Sequence, residues 1–124
     1  MIRKSTFLLL ALTLLLATPT FAASKSRVNA DTTRLVSLLQ DVQNKSTVNE
    51  ASWRTIANEA NSLSNRVYGY TSGAASARKL ATELRKHVRA MRTSALAGNA
   101  EEARTHASAA LPVAYKLIDW SDAK

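Results

Sequence analysis

Four arginines, Arg78, Arg85, Arg89 and Arg92, stand out in this 124-residue chain as residues whose type and spacing suggest chemistry. On a helix turning roughly 100° per residue they fall within about 60° of one another, and Lys79 and Lys86 widen the line. A guanidinium is a planar fork that pairs with carboxylate or phosphate at two points, so four in register form a grip for an anionic partner. The same row is also what a solvated helix flank looks like, paired with Glu59, Glu101 or Glu102 on neighbouring helices. A second candidate set is Glu83 and His87, one helical turn apart on the opposite flank, with His106 further along. These are a base and its partner, or ligands for a divalent transition metal such as copper, nickel or zinc. Glutamate and histidine at i and i+4 are equally an ordinary surface pair, and His106 equally sits at the boundary of a helix's inner face.

Most other chemistry has no support. The chain shows no serine–histidine–carboxylate motif, no glycine-rich phosphate loop and no HExxH pair, and its acids are few and scattered, so it does not read as an enzyme. It contains no cysteine, which removes thiol catalysis, iron–sulfur clusters, disulfides and covalent haem attachment together.

The elements that position these residues follow from periodicity. Arg78 to Arg92 lie within Ala74 to Ala97, where Ala77, Leu80, Ala81, Leu84, Val88, Met91 and Ala95 recur at spacings of three and four, the rhythm of an amphipathic helix. Gly98 is its C-terminal cap. Asn99 then starts a last helix with Glu101 and Glu102 opposing the positive end of its dipole, and with Ala103, Ala107, Ala110, Leu111, Ala114 and Ile118 inside. Pro112 falls on its outer side, and Trp120 closes its end. Upstream, Asn29 or Asp31 caps a first helix carrying Leu35, Leu38, Leu39 and Val42, after a polar arm over 23–29. Thr47 and Glu50 have the spacing of a capping box for a second helix, with Asn49 a rival cap. That helix carries Trp53, Ile56, Ala57, Ala60, Leu63, Val67 and Tyr70, and ends at Gly69 to Gly73, where the glycines permit positive φ and a serine starts the next helix. Four helices with short connections predict an all-α, up-down-up-down antiparallel four-helix bundle over residues 23–124.

Residues 1–22 read as a secretory signal: Arg3 and Lys4, the apolar run Phe7 to Ala17, and a small-residue exit cut after Ala22. The expected location is the periplasm or the exterior. The run is too short to span a bilayer, and no later stretch reaches the roughly 20 apolar residues a membrane helix needs. Removing the leader lowers the formal charge from +8 to +6. Most of that charge sits on the arginine-bearing helix, where six cations stand against Glu83 alone. Such one-sided charge favours anionic partners. An anionic envelope component or an acidic protein is expected rather than nucleic acid, because no aromatics for base stacking are interleaved with the arginines.

The segment Gly98-Asn99-Ala100-Glu101-x-Ala103-x-x-His106-Ala107-x-x-Ala110-Leu111, after a helix containing His87, resembles the repeat of the small metal-binding proteins. These are exported helical bundles whose many histidines collect copper, nickel or zinc. The resemblance implies metal binding through His87 and His106, although this chain lacks the dense histidine array. Gly98, Glu102, Ala103 and Ala107 also resemble the periplasmic b-type cytochromes that fold as four-helix bundles. Those ligate haem with a methionine early in the first helix and a histidine late in the last. Here the first helix has no methionine and Lys116-Leu117-Ile118 occupies the histidine's region, so the resemblance implies the bundle and argues against haem. Met91 is core filler.

Overall fold

The apolar rhythm of each segment becomes a helix in the computed structural model, which describes residues 24–44 and 50–123. The helices are α1 (Lys25–Asn44), α2 (Glu50–Tyr70), α3 (Ala75–Leu96) and α4 (Ala100–Asp122), and no strand occurs among the described residues. The expected leader, residues 1–22, and the caps expected at Thr47 or Asn49 lie outside the described residues.

The junction between α3 and α4 forms as expected. Gly98 takes φ of 78°, its N–H donates to the Ala95 carbonyl and the Asn99 N–H to that of Ser94, a pairing that satisfies the last carbonyls of α3. The Asn99 Oδ1 then accepts from the Glu102 N–H at 3.1 Å while its Nδ2 donates to the Glu102 carboxylate at 2.8 Å. One residue thus ends the reversal and caps the next helix.

Other boundaries differ from expectation. Helix α1 begins at Lys25, before both Asn29 and Asp31. The arm was expected to be polar, but Val28 within it is completely buried and draws the segment into the helix. Neither expected cap serves that role. Asn29 donates to Ser121 Oγ (2.9 Å) and Asp122 Oδ1 (2.8 Å) on α4, and Asp31 accepts from Arg66 on α2. At the other turn, Gly69 stays inside α2 and Gly73 alone provides the positive φ, 84°. Helix α3 starts after Ala74 with no side-chain cap, so the expected serine is not used. Thr71 makes this turn instead: it is buried, and its hydroxyl donates to the Tyr68 carbonyl at 2.7 Å.

The first turn of α1 meets the ends of both α2 and α4. The Ser24 N–H donates to the Tyr70 carbonyl at 3.1 Å and the Lys25 Nζ to that of Ala123 at 2.8 Å. Helices adjacent in sequence pack together, α4 closes on α1, and among the described residues the backbones of the diagonal pairs stay further apart. The molecule is therefore an up-down-up-down antiparallel four-helix bundle. Leu35, Leu39, Trp53, Leu84, Met91 and Leu117 are its largest fully buried side chains, each contributing about 1.5–3 kcal/mol of apolar burial. Between them Ala57, Ala60, Ala77, Ala81, Ala103, Ala107, Ala110 and Ala114 are fully buried, and their small size lets the helices approach closely. In α4 the inner stripe includes Val113 and Leu117, while Ile118 is only half-buried. Pro112 is exposed and α4 continues past it to Asp122, since the hydrogen bond it removes lies on the outer side where water replaces it. No helix among the described residues is long and apolar enough to cross a membrane.

Candidate anion-binding face

Arginines line two of the seams between helices, and each seam holds them differently. Between α1 and α2 two of them meet acids. Arg34 donates through Nε and Nη2 to Glu59 Oε1 at 3.1 and 3.0 Å, and Arg66 donates to Asp31 Oδ1 at 3.0 Å. The Tyr70 side chain, then the Asp31 charge, raise the Arg66 pKa. Arg27 lies over the Tyr70 ring at 5.6 Å.

Between α2 and α3 no acid among the described residues takes part. Tyr68 lies in the last turn of α2, three residues before the reversal, so its ring is carried beside the first turns of α3 running back. The guanidinium carbons of Arg78 and Arg85, two turns apart on α3, each lie over this ring at 4.0 Å from its centroid. Such contacts contribute about 0.5–1 kcal/mol each at partly exposed sites. They cover a face of the guanidinium and leave its N–H edge free for an anion. At the far end of the row, Arg92 Nε donates to Asn58 Oδ1 at 2.9 Å. Arg78, Arg85 and Arg92 are half-buried, whereas Lys79, Lys86 and Arg89 are exposed. Among the described residues, none of these six cations forms an ion pair.

No family model, no curated protein and no solved structure matches this chain. Its function is therefore argued from its own side chains, since a bundle architecture by itself implies none.

The expected acid partners of the basic row are committed elsewhere. Glu59 turns to α1 and Arg34, and Glu102 is held by Asn99 and His106. Glu101 forms no ion pair with a described residue. The aromatic that the sequence lacks within α3 is supplied from α2, although both guanidiniums occupy it. Tyr68 and Asn58 are the site residues that sequence reasoning missed. Tyr68 had a signal, because an aromatic in the last turn before a tight reversal, on the same flank as Asn58 and Asn65, is carried beside the start of the next helix, whereas Tyr70 on the other flank meets Arg27 of α1. Asn58 and Arg92 are 34 positions apart, and nothing local joins them.

The candidate metal ligands form two pairs. Glu83 Oε1 is 4.0 Å from His87 Nε2, as their spacing predicts, and His106 Nε2 is 3.6 Å from Glu102 Oε1. Both pairs are of the i, i+4 kind within one helix. Among the described residues no three histidine, aspartate or glutamate side chains converge as metal ligands.

Proposed function

We propose that this protein is a non-enzymatic binding module of the cell envelope, and that Arg78, Arg85, Lys86, Arg89 and Arg92 on the α2–α3 face engage an anionic partner. The observation that carries the proposal is how the described residues of this seam hold its guanidiniums: by a phenol ring and an amide, with no ion pair to a described acid, so no described carboxylate neutralises their charge. Groups held in this way lose little side-chain entropy on binding and keep donors directed outward. Their summed field draws anions to the face over roughly a Debye length, about 8–10 Å at moderate salt. The leader expected at residues 1–22 supports the envelope as the setting.

The test is a calorimetric titration of the purified protein with polyphosphate at low and high salt, beside a protein carrying Arg85→Ala, Arg89→Ala and Arg92→Ala. Binding that weakens with salt and is lost in the triple variant, with helical circular dichroism unchanged, supports the proposal. Binding indifferent to both salt and these substitutions overturns it.

A further inference from the structure

Opposite the guanidinium row, the α2 wall of the same seam carries a row of amides. Asn58, Asn61 and Asn65 follow one another at spacings of three and four on the flank that also bears Tyr68, so they run along the α2 side of the seam whose α3 side carries Arg85, Arg89 and Arg92. Asn58 uses its Oδ1 for Arg92 and keeps its two N–H donors, and Asn65 is exposed. Asn61 lies between them, half-buried with its Oδ1 shielded from solvent, so the amides open to a ligand are those of Asn58 and Asn65. The acids nearest in sequence point away, Glu59 to α1 and Glu83 to His87.

We infer that the partner is a linear anionic polysaccharide lying along the α2–α3 seam, its acid groups paired with the guanidiniums of α3 and its hydroxyls with the amides of α2. This rests on the anion-binding reading and deepens it. Charge alone asks only for the arginines, whereas a wall of neutral donors and acceptors facing them suits a chain that alternates anions with hydroxyl groups. The row from Arg78 to Arg92 is about 21 Å long at 1.5 Å per residue, room for several sugar units in line. A bilayer fits less well. Arg78, Arg85 and Arg92 are recessed against α2. The exposed large apolar side chains among the described residues are Leu96, at the end of α3, and Tyr115, which accepts from Gln40 of α1. The face thus offers no apolar patch for insertion.

The experiment titrates the protein with a polyuronate, with polyphosphate at the same charge concentration, with neutral dextran, and with vesicles containing an anionic phospholipid. Three proteins are compared: the unsubstituted chain, Asn58→Ala with Asn65→Ala, and the triple arginine variant. The expected result is that polyuronate binds about tenfold more tightly than polyphosphate, the scale of one or two added hydrogen bonds. The amide variant loses that preference and keeps its polyphosphate affinity, the arginine variant loses both, and dextran does not bind. Asn65→Ala alone, at an exposed position, gives the same readout in part if the double variant loses helical signal. Equal binding of the two polyanions, an amide variant that behaves as the unsubstituted chain, or a preference for vesicles overturns the polysaccharide and leaves the basic face standing. No binding to any polyanion overturns both.

Discussion

The α1–α2 and α2–α3 seams are built from the same helix α2, and both are lined by arginine, yet the first closes two of its three guanidiniums on carboxylates while the second, among the described residues, closes none. Arg34 and Arg66 each have a carboxylate at 3.0 Å. Arg78 and Arg85 have Tyr68, and Arg92 has Asn58. The difference follows the described side chains of α2: Glu59 lies toward α1 and Arg34, while Asn58 and Tyr68 lie toward α3 and hold its arginines. A neutral partner positions a guanidinium as an acid does but does not cancel its charge. One seam therefore serves the bundle and the other remains available to a partner.

The most damaging change to this contrast is removal of the open charges. Arg85→Ala, Arg89→Ala and Arg92→Ala together should weaken polyanion binding on the order of a hundredfold, at about 1 kcal/mol per cation facing an anionic surface. Arg34→Ala with Arg66→Ala should change it by less than about threefold, since each of these guanidiniums already faces a carboxylate. Titration calorimetry reads both, and equal losses would erase the distinction between the seams. Next in size is conversion of the open seam to the closed kind. Asn58→Asp places a carboxylate against Arg92 and should lower polyanion affinity about tenfold, roughly one local charge–charge interaction, with no loss of melting temperature. A protein that binds as before would show that local neutralisation is not what matters.

Tyr68→Leu removes the seat of two guanidiniums and should cost about 1 kcal/mol in urea unfolding, the scale of one or two cation–π contacts. Tyr68→Phe keeps the ring and should cost almost nothing. A loss in both would point to the phenol hydroxyl rather than the ring face. The smallest effect belongs to the closed seam. Glu59→Gln should destabilise by about 0.2–1 kcal/mol, because Arg34 and Glu59 are both well exposed and water screens their pair.

The bundle was legible in the sequence because each helix carries its own apolar stripe, and because Gly98 and Asn99 state a helix end and a helix start in adjacent residues. The start of α1 was not. Asn29 and Asp31 have the side chains of N-caps, but their partners, Ser121, Asp122 and Arg66, are supplied by α4 and α2, and only the folded bundle brings these together. The basic row itself was legible from the helical repeat of α3. Its partners depend on the rotation of α2 and α3 about their own axes and on their register. No pattern within either helix encodes those quantities, so Glu59 was expected to pair with the row that Tyr68 and Asn58 in fact hold. The pair Glu83 and His87 needed one helix only and was readable in full.

On the proposed reading the α3 arginines carry charge available to a partner, while Arg34 and Arg66 of the α1–α2 seam do not. Arginine Nε–Hε resonances, followed by NMR as polyanion is added at low salt and reversed with added salt, test it residue by residue. The signals of Arg85 and Arg89 should move first and furthest, Arg78 and Arg92 with them, and Arg34 and Arg66 should stay in place. If Arg34 and Arg66 shift as far as Arg85 and Arg89, the two seams are alike toward anions and the account is wrong.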